Sequence, residues 1–394
     1  MVVISQQIRE FRKSSSWIRK MFEAGIELKR KYGVNKVCDF SLGNPDLMPP
    51  DEFQYFLEEE SKKTGPFLHG YMPNAGYVET REAVAESLRK EIGVDFTRDD
   101  VVMTCGAAGA MNVVLKSILN PGESVVILSP YFVEYKFYVL NHNGKIVVSE
   151  TDERFLPDIA DLESRIDGNT RAVIMNTPNN PTGRVYDGAI LKQVGELLRE
   201  KSKKYGKPIF LISDEPYRKI VFSDSKYFAP VKFYENTVIV TSFSKDLSIP
   251  GERIGYIAVN PVMENKEELI DACIFCNRIL GFINAPALMQ RVIRNVIEFS
   301  VDVEVYEKRR NLLFESLKDM GYDIVKPEGT FYMFPRSPID DDVEFSKVLR
   351  EELVLVTPGV GFGRAGYFRI SFCVDEKVIE KSLERFERAI RKIR

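Results

Sequence analysis

The sequence predicts an α/β fold: a large domain with a mostly parallel sheet covered by helices, plus a smaller α+β domain. The first observation is a series of short apolar, β-branched runs between residues 100 and 260, separated in most places by helical or loop segments. Such strands alternating with helices are typical of parallel sheets buried on both faces. The second observation is a change after Ile257, where long helical stretches and short mixed strands replace this alternation.

Two amphipathic helices are predicted before the alternating region. In SSSWIRKMFEAGIELKRKYG, apolar residues recur at helical spacing, serines precede the pattern, and Gly33 ends it. The Gly- and Pro-rich loop VCDFSLGNPDLMPP follows. The second helix is predicted at YVETREAVAESLRKEIG.

Seven strands are predicted next, at DVVMTCG, SVVILSP, KIVVSE, RAVIMNTP, PIFLISDE, TVIVTSFS and RIGYIAV. Open α/β sheets bind ligands beyond the carboxyl ends of their strands. The residues at or just after the ends of four of these runs are therefore candidates for a shared site: Gly106, Asn180, Asp214 with Tyr217, and Lys245.

The C-terminal third is predicted as a helical stretch over about 262–320, short strands at GTFYMFP and YFRISF, and a final helix at DEKVIEKSLERFERAIRKI. We expect the N-terminal helix to join this part. The predicted large domain spans 46–285, and the small domain combines 1–45 with 286–394.

Composition excludes several classes of function. Of the 394 residues, 44% are apolar and 29% charged, and the net charge is −3, so we expect a globular protein that does not bind nucleic acid. No apolar run approaches the ~20 residues of a membrane-spanning helix, and the N-terminus lacks a signal-peptide pattern. The predicted location is cytoplasmic, without membrane association.

Two motif matches fail in their context. GFGRAG, from Gly361 to Gly366, satisfies GxGxxG, but the strand-like YFRISF follows where a dinucleotide site needs a helix, so we predict a Gly-rich loop. Cys273 and Cys276 form a CxxC inside a predicted buried helix, no second CxxC exists, and the chain has two histidines. We predict no metal site, because structural zinc needs four such ligands.

The strand ends offer each residue type that pyridoxal phosphate requires. Its aldehyde needs a lysine, and its ring nitrogen needs a carboxylate. Its phosphate suits backbone N–H groups at a helix start, hydroxyls and an arginine. TSFSKDLSIPGERIGY places Lys245 beside Ser242 and Ser244, with Arg253 eight positions further on.

Five segments resemble the class I aminotransferases of fold type I, the aspartate aminotransferase superfamily: NTPNNPTG, SDEPY, SFSKDLSIPGERIGY, GYMPNAGYVETREAVA and GYFRISF. The matches run in family order from about residue 40 to 373. The resemblance implies the fold-type I architecture of pyridoxal-phosphate transferases. It also implies a pyridoxal 5'-phosphate-dependent aminotransferase that moves an amino group from an L-amino acid to a 2-oxo acid with ping-pong kinetics.

The resemblance also implies roles for single residues. Lys245 would form the Schiff base and move the substrate proton, and Asp214 would pair with the ring nitrogen. Tyr217 and Asn180 would hydrogen-bond the phenolic oxygen of the coenzyme.

Further implied contacts concern the phosphate and the neighbouring subunit. Tyr71 would reach the phosphate of the partner, which implies a homodimer. The remaining phosphate contacts would be the backbone of Gly106, Ala107 and Ala108 and the side chains of Ser242, Ser244 and Arg253.

For the substrate, the resemblance implies that Arg369 binds the α-carboxylate and that Gly43 lets the backbone approach it. Phe132 falls at the position of the aromatic residue that stacks on the coenzyme ring, and Tyr131 is the competitor for this role. Asn180 and Phe132 would also contact substrate.

The identity of the substrate is poorly specified. Some bacterial aspartate aminotransferases of this subgroup bind the distal carboxylate through a lysine where this chain has Ala108. Arg12, Lys13 or Arg19 could supply a cation instead. Aspartate with 2-oxoglutarate is the family default. The alternatives are aromatic or aliphatic amino acids, or a C–S lyase on the same scaffold; a coenzyme-binding transcriptional regulator is disfavoured because no winged helix precedes SLGNPD.

Overall fold

The computed structural model describes residues 3–13 and 17–393, without the side chains of 13, 17–20 and 22. The N-terminal elements are α1 (Gln6–Lys13), α2 (Trp17–Tyr32), β1 (Cys38–Asp39), α3 (Asp51–Lys62) and α4 (Val78–Ile92). The central elements are β2 (Val101–Thr104), α5 (Gly106–Ile118), β3 (Ser124–Ser129), α6 (Glu134–Asn141), β4 (Lys145–Glu150), α7 (Ile159–Arg165), β5 (Thr170–Asn176), α8 (Gly188–Tyr205), β6 (Phe210–Asp214), β7 (Thr237–Ser242) and β8 (Gly255–Val259). The C-terminal elements are α9 (Lys266–Ile279), α10 (Ala287–Val296), α11 (Val303–Asp319), β9 (Tyr332–Met333), α12 (Asp342–Glu351), β10 (Val354–Leu355), β11 (Thr357–Pro358), β12 (Phe368–Ser371) and α13 (Glu376–Arg391).

Within the described residues, the central sheet has seven strands in the order β2-β8-β7-β6-β5-β3-β4. Only β8 runs antiparallel to its neighbours, so the other six strands point in one direction. The predicted α/β class, the mostly parallel sheet and all seven predicted strands are confirmed. The carboxyl ends of six strands therefore meet at one edge of the sheet.

Successive side chains of a strand point to opposite faces of the sheet, and both faces of this sheet are apolar. Helices therefore cover both faces. Ile174 of β5 belongs to an apolar cluster with Val114 of α5, on one face. Its neighbour Val173 belongs to a second cluster with Leu198 of α8, on the other face. The sheet is thus a rigid platform for the side chains at its edge.

The N-terminal and C-terminal segments combine in smaller sheets. β1 pairs in parallel with β10, and β12 lies between β11 and β9 in an antiparallel sheet. An apolar cluster that includes Phe331, Tyr332 and Ile370 also contains Tyr217 from the region after β6. This packing brings β9 and β12 to the same edge of the central sheet. The domain boundaries at 45/46 and 285/286 stay a prediction.

The remaining sequence expectations have specific outcomes. The GFGRAG segment forms a short 3₁₀ turn and a loop before β12, as predicted. Cys273 and Cys276 are buried on α9, also as predicted. In the described part of the chain, no helix combines the length and apolarity needed to cross a membrane. The serines expected before α2 lie outside the described residues.

Candidate active site

A cavity of about 370 Å³ lies at the carboxyl edge of the sheet. It receives residues that follow β2, β3, β5, β6 and β7, together with residues from β9 and β12. The predicted site residues that line it are Gly43, Ala107, Ala108, Phe132, Asn180, Asp214, Tyr217, Ser242, Ser244, Lys245, Arg253 and Arg369. The lining also contains Met111, Tyr135, Tyr138, Asn176, Pro216, Pro250 and Tyr332.

Lys245 lies in the turn after β7, and its amine is directed toward the loop that follows β1. Its Nζ donates to the carbonyl oxygen of Gly43 at 2.8 Å. Burial lowers the pKa of Lys245 to about 8; among its neighbours, Cys373 opposes this shift, and the positive charges of Arg369 and Arg253 add to it. A lysine with this pKa has a larger neutral fraction near neutral pH than a solvated lysine, and the neutral amine can act as a nucleophile.

Asp214 ends β6, where the register places it beside Asn176, the last residue of β5. The Tyr135 hydroxyl donates a short hydrogen bond to Asp214 Oδ2. Burial raises the pKa of Asp214 to about 7; the bond from Tyr135 lowers it and the charge of Glu215 raises it. A buried carboxylate of this kind suits a cationic partner, which would restore its ionised form.

An anion site lies at the N-terminus of α5, which begins at Gly106 directly after β2. The preceding Cys105 provides no side-chain cap, so the first N–H groups of the helix lack that partner. Ser242 and Ser244, whose hydroxyls are 3.0 Å apart, line the same cavity as Arg253. We call the N-terminus of α5 with Ser242, Ser244 and Arg253 the anion site, because N–H groups, hydroxyls and a guanidinium suit an anion such as a phosphate.

The close packing at the anion site explains why residue 106 is a glycine. Gly106 has a φ of +73°, and a Cβ there would lie 2.8 Å from Arg253 Nη2. On β8, a Cβ at Gly255 would lie 2.9 Å from the carbonyl carbon of Gly106. Both glycines are needed for the close approach of α5, β8 and the arginine.

Arg369 is a buried cation on β12 with two fixed hydrogen bonds. Its Nη1 donates to Asn180 Oδ1 at 3.0 Å, and its Nη2 donates to the Ser41 carbonyl oxygen at 2.7 Å. The guanidinium lies against the rings of Tyr332 and Phe362, 4.5 and 4.7 Å from their centroids. Its Nε has no hydrogen-bond partner among the described residues. Such a positioned guanidinium is suited to bind a carboxylate.

Of the two aromatic candidates that follow β3, only one lines the cavity. Phe132 lines the cavity and packs edge-to-face on Tyr135, with ring centroids 5.6 Å apart. Tyr131 is buried outside the cavity lining, where a Cβ at Gly363 would lie 2.5 Å from its ring. Phe132 is therefore the aromatic side chain that can contact a ligand.

Sequence reasoning missed Tyr135, Tyr138 and Tyr332. Phe132, just before α6, and Tyr135 and Tyr138 within it recur every third residue, so their shared direction was detectable from spacing alone. Tyr332 had no local signal, because its position depends on how β9 packs beside the central sheet. The same residue gives Gly43 a second role: a Cβ there would lie 1.7 Å from the Tyr332 hydroxyl oxygen.

Some predicted residues lie elsewhere. Tyr71 is 92% exposed and does not line the cavity of its own chain. Arg12 is exposed and also outside the lining, and the side chains of Lys13 and Arg19 lie outside the described residues. Among the described residues, the only charged side chains that line the cavity are Asp214, Lys245, Arg253 and Arg369.

The comparisons with known proteins agree with this geometry. Residues 35–386 match the family model for aminotransferase class I and II. A probable aspartate aminotransferase of Methanocaldococcus jannaschii is 31% identical, over 88% of this chain and 91% of the relative. The aspartate/prephenate aminotransferase of Thermus thermophilus is 33% identical over 93% of both chains. The aromatic-amino-acid aminotransferase 2 of Thermococcus litoralis is 32% identical, over 95% of this chain and 96% of the relative.

Solved structures show the same architecture. An amino transferase from Eubacterium rectale superposes with a TM-score of 0.96 at 38% identity, covering 100% of this chain and 99% of the other. The Thermus thermophilus aspartate aminotransferase with maleate gives a TM-score of 0.87 at 29% identity, covering 99% and 100%.

Proposed function

The chain belongs to the class I and II aminotransferase family and is an aminotransferase, and on this basis we propose that Lys245 binds pyridoxal 5'-phosphate covalently. The observation that carries the proposal is one cavity that holds a lysine of lowered pKa, a buried carboxylate, an anion site and a positioned arginine. Each group matches one part of the coenzyme or of an amino-acid substrate.

The residues present fit the coenzyme. The uncapped N-terminus of α5, Ser242, Ser244 and Arg253 would hold its phosphate. Asp214 would hold the protonated ring nitrogen, and Phe132 would cover the ring. When bound, the coenzyme supplies an electron sink that stabilises negative charge at the substrate Cα.

The positions of the cavity residues also indicate the part that each would take in the reaction. Arg369 would bind the α-carboxylate, and its bonds to Asn180 and to the Ser41 carbonyl oxygen fix its orientation. As a free amine, Lys245 would accept the proton from the substrate Cα on its Nζ, and in the return half it would donate a proton to Cα of the new amino acid. Tyr217 and Asn180 would hydrogen-bond the phenolic oxygen. The return half with a 2-oxo acid uses the same residues, giving ping-pong kinetics.

We propose aspartate as the amino donor and 2-oxoglutarate as the acceptor. Three of the relatives and structures described above carry aspartate in their names, which supports this choice. A second candidate class is aromatic or aliphatic amino acids. Ala108 offers no cation for a distal carboxylate, and Met111, Phe132 and Tyr138 give the cavity apolar surface. The aromatic aminotransferase among the relatives supports this alternative.

We also propose a homodimer in which Tyr71 reaches the anion site of the partner subunit. Tyr71 is 92% exposed, and Phe67 nearby is 89% exposed. Exposed patches of large apolar side chains, as distinct from single ones, are typical of surfaces that pair with another chain. A cytoplasmic location is proposed as well; the five cysteines are unpaired, which fits a reducing compartment.

A screen of the first half-reaction tests the function and the substrate together. The protein loaded with pyridoxal 5'-phosphate is mixed separately with each common amino acid, and the fading of its visible absorption is followed. We expect rapid fading with aspartate and glutamate, and formation of a 2-oxo acid. A response confined to aromatic or aliphatic amino acids would move the substrate to the second class, whereas pyruvate release from cysteine conjugates without amino transfer would contradict the aminotransferase assignment.

A further inference from the structure

We propose that Tyr332 is a positioning residue that acts through Tyr217, strengthening the hydrogen bond that Tyr217 offers to the phenolic oxygen of the coenzyme. The inference rests on the proposed function and deepens it. It concerns a residue that the sequence motifs did not indicate.

The two hydroxyls form a pair inside the cavity. Tyr217 Oη and Tyr332 Oη are 3.1 Å apart, and the two rings meet edge-to-face with centroids 5.7 Å apart. Both residues are buried, at 4% and 3% exposure, and both line the cavity. Their hydroxyls are therefore held in place by packing, with little competition from water.

The pair joins two parts of the chain that are distant in sequence. Tyr217 follows β6 of the central sheet, whereas Tyr332 begins β9 of the small antiparallel sheet. Phe331 fixes both, because its ring centroid lies 5.5 Å from that of Tyr217 and 5.0 Å from that of Tyr332. The alignment of the two hydroxyls thus depends on the docking of the small sheet on the large one.

The direction of donation follows from the number of protons. A phenol has one proton to donate and can accept through its oxygen. Once Tyr217 donates to an acceptor in the cavity, its oxygen is available, and Tyr332 is the neighbouring donor. A chain of hydrogen bonds of this kind polarises its members, so each donor becomes stronger.

Two neighbours adapt Tyr332 to this role. The Arg369 guanidinium lies 4.5 Å from the centroid of its ring, and a cation there favours release of the phenolic proton toward an acceptor. Gly43 leaves the space that its hydroxyl fills, since a Cβ at Gly43 would lie 1.7 Å from Tyr332 Oη. Gly43 also accepts the hydrogen bond from Lys245 Nζ, so Tyr332 lies beside the reactive lysine.

The test is the pKa of the Lys245 nitrogen in protein loaded with pyridoxal 5'-phosphate, obtained from visible absorption as a function of pH. A donor to the phenolic oxygen lowers this pKa, because it stabilises the deprotonated form. We expect Tyr217→Phe to raise it. We expect Tyr332→Phe to raise it by a smaller amount, roughly 0.3 to 1 pH unit. Because Tyr332 acts through Tyr217, the double variant should match Tyr217→Phe alone.

Tyr306→Phe is the matched control, since Tyr306 is buried against Phe331 but does not line the cavity. It should leave the pKa at the parent value. An unchanged pKa in Tyr332→Phe, or shifts that add in the double variant, would overturn the inference while leaving the proposed function intact. If the parent protein showed no visible absorption with the coenzyme, the proposed function itself would fail, and the inference with it.

Discussion

At the scale of single residues, burial prepares the chemistry of this cavity. Lys245 and Asp214 carry opposite charges in water, and burial moves both toward their neutral forms, with pKa values of about 8 and about 7. Their neighbours then adjust these values. Cys373 raises the pKa of Lys245, and Arg369 and Arg253 lower it, whereas Tyr135 stabilises the ionised form of Asp214.

The lowered pKa of Lys245 predicts how coenzyme incorporation depends on pH. Below about pH 8 the amine of the empty protein is mostly protonated and cannot attack an aldehyde. The rate of attachment should therefore rise with pH and level off above about 8. Stopped-flow absorption after mixing empty protein with pyridoxal 5'-phosphate measures it. A rate still rising tenfold per unit at pH 9 to 10 would show an ordinary solvated lysine.

Removal of the Tyr135 hydroxyl should weaken catalysis through Asp214. A hydrogen bond to a charged group contributes about 1.5 to 3 kcal/mol, so Tyr135→Phe should lower kcat by roughly tenfold to a hundredfold and weaken coenzyme binding. Tyr131→Phe is the control, because Tyr131 lies on the same segment outside the cavity lining. Steady-state rates and coenzyme titration provide the measurements; equal effects of the two variants would contradict a specific role for Tyr135.

At the scale of elements, glycines set the distance between α5, β8 and Arg253. Gly106→Ala places a methyl group 2.8 Å from the Arg253 guanidinium and also strains a backbone with φ of +73°. We expect the dissociation constant for pyridoxal 5'-phosphate to rise at least about tenfold, since the anion site is displaced. Equilibrium dialysis measures the change.

Gly122→Ala is the control for Gly106→Ala, because it introduces backbone strain without a steric contact. Gly122 has a φ of +87°, and a Cβ there would have no neighbour within 4 Å. It should lower the free energy of unfolding by roughly 1 to 2 kcal/mol without weakening coenzyme binding. If both variants bound the coenzyme equally well, the packing explanation for Gly106 would be wrong.

The elements that sequence could predict are those with a strong apolar pattern. The runs that became β2, β3, β6, β7 and β8 are buried along their whole length, and burial on both faces requires a nearly continuous apolar composition. By contrast, α3 buries only Phe53 and Glu60, and the described side chains of α1 are almost all exposed. These helices lack a wide apolar stripe, which explains why the sequence pattern did not reveal them.

For the site, prediction was limited by tertiary packing. Lys245, Asp214 and Arg253 were found because each follows a strand or belongs to a recognisable motif. Tyr332 was not found, because β9 has only two residues and reaches the cavity through the docking of the small sheet. Contacts that depend on such docking have no local signature in the sequence.

At the scale of the whole molecule, the site needs two parts of one chain and, in our proposal, a second subunit. Arg369 and Tyr332 come from the C-terminal sheets, whereas Lys245 and Asp214 come from the central sheet. In that proposal Tyr71 would reach the partner's cavity, which is consistent with its exposure and with its position outside the cavity of its own chain. A chain of 45.1 kDa should therefore behave as a dimer in solution.

Hybrid dimers test the exchange of Tyr71. A dimer of one Lys245→Ala chain and one Tyr71→Ala chain should contain one intact site, and about half the parent activity, because each residue serves a different site of a symmetric pair. A hybrid of Lys245→Ala with Arg253→Ala is the control and should have no intact site, since both residues line one cavity. Differently tagged chains allow purification of each hybrid. Equal low activity in both hybrids would place Tyr71 outside the partner's site.

The covalent bond at Lys245 can be examined directly by borohydride reduction of the protein loaded with pyridoxal 5'-phosphate, followed by peptide mapping with mass spectrometry. We predict that the reduced coenzyme adds to the peptide that contains Lys245 and that Lys245→Ala abolishes the addition. Labelling of a different lysine in the parent protein, or no labelling at saturating coenzyme, would contradict the assignment of this cavity as the active site.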